Sequence, residues 1–162
     1  MKAYNRKRAI TYAHKWAYSR NARYYDFSNL GGDCTNFISQ CLYAGCQVMN
    51  YTPNVGWFYN SPNSRSASWT GVPYLYNFLI SNKGAGPYGH QAPLEESRPG
   101  DIIQLSFDGH VYSHSLFIVS TADIPQPSNI LIATHSFNAD NRPLNSYNYL
   151  SHRLICIDGV RV

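Results

Sequence analysis

Cysteine pairs, acidic residues and long apolar runs are all scarce in this sequence. The four cysteines form no Cys-x-x-Cys pair and no Cys/His spacing that binds zinc, so they cannot found a zinc site or a disulfide scaffold. We interpret them as free thiols and expect no metal. No stretch is apolar for long enough to cross a membrane, and the first ten residues lack the apolar core of a signal peptide. Met1 is compatible with a cytoplasmic protein and with an exported domain whose signal was removed.

Acidic residues number only nine, against thirteen lysines and arginines, and the balance is uneven along the chain. Seven basic residues precede the first acidic one, Asp26, so one end of the protein should carry positive potential. We expect these residues to form a solvated helix face. The alternative is attraction to an anionic surface such as a cell-wall polymer. The seven basic residues are Lys2, Arg6, Lys7, Arg8, Lys15, Arg20 and Arg23.

Aromatic residues are abundant. The 162 residues suit one domain, 1–162, and a hydrophobic content of 44% is enough for a core. Fourteen tyrosines and three tryptophans exceed what such a core ordinarily uses, which suggests a groove lined with rings. Half-buried packing is the other interpretation of the same tyrosines.

Three segments of the first half have helical periodicity. Residues 2–18 predict an amphipathic helix, and a second helix begins at Asp33 or Cys34 and ends at Gly45. A third helix has Pro73 in its first turn and ends before Gly84. The intervening residues 47–71 and the segment 84–99 resemble loops, and long loops are commonly functional.

The second half predicts strands. Four short runs rich in Ile, Leu, Val and Phe, bounded by Gly, Pro, Asn and Asp, cover residues 101–107, 115–120, 130–134 and 150–157. Helices followed by strands predict an α+β fold, with N-terminal helices packed on a C-terminal antiparallel sheet. The helix of Cys34 should pack against that sheet.

Cys34 is the candidate nucleophile. It follows Gly31-Gly32-Asp33 and opens a helix, where unpaired backbone N–H groups and the helix dipole favour a thiolate. The alternative is a small core residue, because Cys34 shares its helix face with Phe37 and Ile38. We interpret Cys41 and Cys46 as small core residues of this kind.

Two histidines could complete such a site. His114 directly precedes the run 115–120, and His135 ends the run 130–134. In an antiparallel hairpin the start of one strand lies beside the end of the next, which would bring the two histidines together. One imidazole could then take the thiol proton while a second polar group fixes its tautomer.

The segment Gly-Asp-Cys-Thr-Asn-Phe-Ile-Ser-Gln at residues 32–40 closely resembles the signature of the putative amidase domain family. This is a branch of papain-like cysteine hydrolases related to NlpC-type and CHAP cell-wall enzymes. The resemblance extends, in family order, over residues 4–6, 9, 12–13, 99–102, 113–115, 134–136 and 143–144. It implies a papain-like fold.

The resemblance also implies roles for individual residues. Cys34 would be the nucleophile, His114 the general base and then acid, and His135 the third, orienting residue. Asn138 and Asp140 are alternatives for that third place.

Oxyanion and substrate contacts can be predicted as well. The backbone N–H of Cys34 is the predicted oxyanion donor. A tyrosine upstream supports the oxyanion in relatives, and Tyr24 or Tyr25 could correspond. Asp33, Trp57 and Trp69 are further candidates for substrate contact.

The predicted function is hydrolysis of an amide or peptide bond through an acyl-enzyme. The resemblance implies peptides of bacterial cell-wall material as substrates and an extracellular or cell-wall location, with no cofactor. We expect a monomer without a nucleic-acid partner. Acyl transfer to an amine, and a non-catalytic module that binds glycans or polyanions, are the alternatives.

Overall fold

Apart from one short hairpin, the helices precede the strands in the computed structural model, which describes residues 1–162. The helices are α1 (Arg6–Trp16), α2 (Cys34–Cys46), α3 (Ala67–Thr70) and α4 (Val72–Ser81). The strands are β1 (Tyr59–Ser61), β2 (Ser64–Arg65), β3 (Gly86–Ala92), β4 (Ile102–Ser106), β5 (Tyr112–Ser120), β6 (Leu131–Thr134), β7 (Ala139–Pro143) and β8 (Ser151–Arg161). None of the helices combines the length and the apolar character needed to span a membrane.

The main sheet has six antiparallel strands in the order β3-β8-β4-β5-β6-β7. The predicted α+β class is therefore confirmed. Strands β1 and β2 form a separate small hairpin.

Two hydrophobic clusters lie on opposite faces of the sheet. The larger contains α2 residues such as Phe37 together with Phe117 and Val119 of β5. The smaller contains Leu116 and Ile118, the intervening residues of β5. Side chains along a strand alternate between faces, so a shift of one residue changes the cluster to which a side chain belongs.

The end of α2 differs from the prediction. The helix runs through Gly45 to Cys46 and ends at Gln47, whose backbone is left-handed with φ of 57°. Gly45 permits close packing instead, because a Cβ there would lie 2.6 Å from Cε1 of Tyr4 and 2.8 Å from the carbonyl oxygen of Asn5. The glycine thus brings the segment before α1 against α2.

The predicted loops contain regular structure. Residues 47–71 include the β1–β2 hairpin and α3, and the segment 84–99 includes β3, which pairs with β8 along its whole length. Strand β7 was also not predicted. The first helix is shorter than predicted: it begins after Asn5, whose side chain accepts a hydrogen bond from the backbone N–H of Arg8 at 3.0 Å.

The basic N-terminal residues divide into two groups. Arg6 and Arg20 are half-buried and form ion pairs, Arg6 with Asp101 at 2.9 Å and Arg20 with Asp26 at 3.3 Å. The other five, which are Lys2, Lys7, Arg8, Lys15 and Arg23, are exposed.

Candidate active site

The approach to α2 is a tight turn that ends at Cys34. Gly31 and Gly32 have φ of 85° and 99°, a conformation that favours glycine. Asp33 precedes the helix without capping it through its side chain. The first N–H groups of α2 therefore have no side-chain cap, which leaves them free to bind an anionic oxygen.

The Cys34 side chain is 7% exposed and lies against β5. Its sulfur is 3.7 Å from Oγ1 of Thr35, and that hydroxyl is hydrogen-bonded to Oγ of Ser115 at 2.9 Å. Burial raises the pKa of the thiol, while hydrogen bonding from the backbone N–H of Ser115 and from Thr35 lowers it. The thiol thus meets the sheet at the residue directly after His114.

Asp33 is fully buried and holds the turn together. One carboxylate oxygen accepts hydrogen bonds from the Phe27 backbone N–H at 2.8 Å and from Nδ2 of Asn36 at 2.9 Å. The other faces Nδ1 of His135 at 2.5 Å. With its oxygens occupied inside the protein, Asp33 is not a substrate contact, contrary to the prediction.

The sequence predicted that His135 lies beside His114, but the two side chains are not in contact. Nδ1 of His135 bonds to Asp33, its Nε2 bonds to the carbonyl oxygen of Trp16 at 2.8 Å, and its ring stacks on Phe37 with centroids 4.1 Å apart. Both ring nitrogens are therefore occupied. His135 fixes α1, α2 and the end of β6 to one another.

The register of the hairpin explains this difference. Phe117 pairs with Ala133 and Ile118 with Ile132, and the continuation of this register puts Ser115, not His114, opposite His135. Ser115 contacts Thr35 on the α2 side, and its neighbour His114 projects to the other side. The two histidines are neighbours in the hairpin but belong to opposite faces.

His114 lies among aromatic rings on the second face. It is 9% exposed, and its ring centroid is 5.8 Å from that of Tyr147 and 6.5 Å from that of Phe107. Burial, assisted by the positive charge of Arg142, lowers the pKa of His114 to about 4. The imidazole is consequently neutral at physiological pH and able to accept a proton.

Tyr147 is an aromatic neighbour of His114 on the second face. Burial raises the pKa of Tyr147, and the neighbouring positive charge of Arg142 opposes that shift. The Tyr147 hydroxyl is buried without a hydrogen-bond partner. Tyr147 thus packs beside His114, while Cys34 meets the sheet at Ser115, the next residue of β5.

A pocket of about 490 Å³ opens beside His114. This volume is within the range of small-molecule sites. Its walls combine aromatic rings, two serine hydroxyls and a single cation. The lining residues are Phe107, Ser113, His114, Ser136, Phe137, Arg142 and Tyr147.

The profile of the putative amidase domain family matches residues 3–157. This chain belongs to that family. A curated relative of the amidase domain, Uncharacterized protein YhbB of Bacillus subtilis strain 168, is 39% identical over 121 residues, which are 72% of this chain and 37% of the relative. The amidase domain thus spans little more than a third of that relative's length. No solved structure matches it significantly.

The tryptophans predicted to contact substrate are core residues of the amidase domain. Trp57 and Trp69 are fully buried, with ring centroids 4.7 Å apart. Their indole N–H groups donate to Ser39 Oγ at 3.1 Å and to Asn36 Oδ1 at 2.9 Å. Both have their polar atoms satisfied internally, so the predicted role in substrate contact is wrong for them.

The two upstream tyrosines differ in exposure. Tyr24 is buried and stacks on Trp69 with centroids 5.9 Å apart, so it belongs to the core. Tyr25 is 47% exposed and packs edge-on against Phe27 at 4.9 Å. Its backbone carbonyl accepts from Nδ2 of Asn36 at 2.9 Å, which ties this stretch to the start of α2.

The alternative third residues also have other partners. Asn138 accepts a hydrogen bond from Arg20 at 3.2 Å, and Asp140 is hydrogen-bonded to Nδ1 of His14 of α1 at 2.8 Å. Neither bonds to His114.

Arg142 and Tyr147 were missed by sequence reasoning. Arg142 lies in β7, which was not predicted, and Tyr147 follows a short 3₁₀ turn, Leu144–Ser146. Their only sequence signal is proximity to residues 143–144, which carry part of the family resemblance. Their role depends on β7 returning beside β6 to the end of the sheet that holds His114.

Proposed function

We propose that this amidase domain is a cysteine-dependent amide hydrolase that acts through an acyl-enzyme. The observation that carries the proposal is the Cys34 thiol at the start of α2, facing the backbone N–H of Ser115 directly beside His114. A nucleophile at a helix start and a neutral imidazole beside an open pocket are the parts that acyl transfer requires.

The first step is attack on the substrate carbonyl. Both groups are neutral beforehand, because burial raises the pKa of Cys34 and lowers that of His114 to about 4. As Sγ of Cys34 forms its bond to the carbonyl carbon, the thiol proton passes to His114 through one bridging water, because Cys34 meets β5 at Ser115 and the Ser115 and His114 side chains lie on opposite faces of the sheet. The negative charge that develops on the carbonyl oxygen is bound by uncapped N–H groups at the start of α2.

In the second half of the cycle, the same histidine first acts as a general acid. Protonated His114 donates to the leaving amine as the C–N bond breaks, which leaves a thioester on Cys34. Neutral His114 then takes a proton from water, and the resulting attack releases the acid and restores the thiol.

His135 and Asp33 have a positioning role in this proposal. Their bond at 2.5 Å joins the residue before Cys34 to the end of β6. The Phe27 and Asn36 bonds to the same carboxylate fix the turn that aims Cys34 at the sheet. The pair thus holds the nucleophile, not the base.

Peptides of bacterial cell-wall material are the proposed substrates. The resemblance to NlpC-type and CHAP enzymes supports this, and the open pocket lined by aromatic rings is compatible with a peptide. An extracellular or cell-wall location belongs to the same proposal.

The test compares Cys34→Ala with Cys156→Ala on peptidoglycan fragments, with products identified by mass. Cys156 is the matched control because it is also a buried free thiol, but it lies in β8, which does not pair with the strand of His114. We expect cleavage by the wild type and by Cys156→Ala, and none by Cys34→Ala. Cleavage that persists in folded Cys34→Ala would overturn the proposal, and a product carrying an added amine would indicate transfer in place of hydrolysis.

A further inference from the structure

Arg142 is a cation without an acidic partner. Its Nε donates to Oγ of Ser146 at 2.7 Å and one terminal nitrogen donates to the Ser146 carbonyl oxygen at 3.2 Å, but it forms no salt bridge. Its guanidinium stacks on the Tyr147 ring, 3.7 Å from the centroid. The second terminal nitrogen is left without a hydrogen bond, although the side chain is half-buried. A planar guanidinium held in this way is suited to binding a carboxylate.

A second polar group in the same pocket also lacks a partner. The Tyr147 hydroxyl is buried and has no partner in hydrogen-bond geometry, although the Arg142 guanidinium is close enough to lower its pKa. A buried hydroxyl without a partner is unfavourable, and a ligand that accepts a hydrogen bond from it would remove that cost.

A strained turn forms part of the pocket lining. Ser136 and Phe137 both have left-handed backbones, with φ of 64° and 63°, and the Phe137 side chain is 93% exposed. Consecutive left-handed residues in a hairpin turn are usually Asn or Gly, and such strain is concentrated at ligand-binding sites. The turn thus contributes an exposed aromatic ring to the pocket.

The pocket belongs to the leaving-group side of the substrate. In the proposed function, on which this step rests, His114 protonates the leaving amine. The residue that carries this amine must then lie against His114, and His114 itself lines the pocket.

We propose that this pocket binds a free carboxylate on the leaving residue of a peptide substrate, with Arg142 as the cation and the Tyr147 hydroxyl as a hydrogen-bond donor. Phe107 and Phe137 flank the same residue. The preferred substrate is therefore a peptide cleaved just before a residue with a free carboxylate. Such a group would also offset the positive charge that Arg142 exerts on His114.

The test uses two peptides that are identical except that the leaving residue ends in a free carboxylate or in a carboxamide. We measure kcat/KM with the wild type and, independently of turnover, the Kd of each peptide for Cys34→Ala. We expect about a tenfold or larger preference for the carboxylate in both measurements. Arg142→Gln should bring the ratio close to one, and Arg142→Lys should keep part of it.

Arg161→Gln is the matched control. Arg161 also stacks on a tyrosine, 3.6 Å from the Tyr88 centroid, but it lies in β8 where that strand pairs with β3. It should keep the wild-type ratio. Equal binding of both peptides to Cys34→Ala, or an unchanged preference in Arg142→Gln, would overturn this inference and leave the proposed function intact. Preferential binding of the carboxylate without cleavage by the wild type would support the pocket and contradict the proposed function.

Discussion

The two faces of the sheet differ in whether their buried polar groups have hydrogen-bond partners. On the α2 face, Asp33 and His135 are almost completely buried, and every ring nitrogen and carboxylate oxygen has a partner. On the other face, His114 makes no hydrogen bond, the Tyr147 hydroxyl is orphaned, and a pocket opens beside them. A buried network whose polar groups are all hydrogen-bonded stabilises one fold, whereas polar groups without partners around a pocket indicate a ligand-binding site.

This contrast predicts that His114 and His135 fail differently when they are removed. His114→Ala should lower kcat by about 10² to 10⁴-fold, because the general base is lost. Its melting temperature should change little, since His114 has no bonded partner to leave unpaired. The measurement is turnover with calorimetry on the same preparation, and His110→Ala, an exposed histidine in the β4–β5 turn, is the control. If His114→Ala kept a kcat comparable to that of the wild type, another residue would have to be the general base.

Removing either member of the Asp33 and His135 pair should mainly affect stability. Removing one member leaves the buried polar atoms of the other without a partner, which costs about 1 to 3 kcal/mol of unfolding free energy. Asp33→Ala and His135→Ala should each show a loss of this size by denaturant unfolding. The double variant should lose less than the two single losses combined, because the interaction is removed once.

The same pair also provides a graded activity test. His135→Asn should keep more turnover than His135→Ala, since an amide can still donate to Asp33. If His135→Ala kept full stability but lost activity as His114→Ala does, His135 would act on the chemistry and the contrast between the faces would fail.

A smaller effect concerns pH. The proposed attack requires neutral His114, so kcat/KM should fall as the pH drops through the His114 pKa of about 4. Burial is the main cause of that low value and the Arg142 charge the second, so Arg142→Gln should move the acid limb to higher pH. The profile should be measured with the carboxamide peptide, which does not neutralise Arg142. An acid limb that is identical in both proteins would show that Arg142 does not act on the base.

The smallest predicted effect is at the strained turn. Ser136→Gly should raise the free energy of unfolding by up to about 1 kcal/mol, because glycine adopts a left-handed backbone without strain. Ser136 Oγ also accepts the Asp33 backbone N–H at 3.2 Å, and loss of that bond opposes the gain. Ser136→Asn, which tolerates the left-handed conformation and keeps a polar side chain, separates the two contributions.

Sequence periodicity was sufficient to predict the helix and strands that carry the site. Helix α2 and strands β4, β5 and β6 were predicted because their apolar residues repeat at the spacing of a helix or fall in compact strand-like runs. Strand β3 was missed because Gly86, Pro87 and Gly89 are typical of a loop, and its existence depends on pairing with the distant β8.

The candidate site was predictable only in part, for a geometric reason. Adjacency of His114 and His135 in a hairpin followed from the sequence, but the face of each side chain depends on a register that differs by one residue. Similarly, Trp57 and Trp69 resembled groove residues until tertiary packing enclosed them. No local pattern signals Arg142 and Tyr147, because they reach His114 only through the return of β7.

The most direct measurement of the central claim is the order in which the four thiols react. All four are buried, and burial raises the pKa of each, but Cys34 is the most exposed of them and the one beside His114. Limited iodoacetamide treatment of the folded protein, followed by peptide mass mapping, should label Cys34 before the other three cysteines. In His114→Ala, the labelling of Cys34 should be slower than in the wild type. Labelling of Cys41, Cys46 or Cys156 before Cys34 would contradict the assignment of Cys34 as the nucleophile.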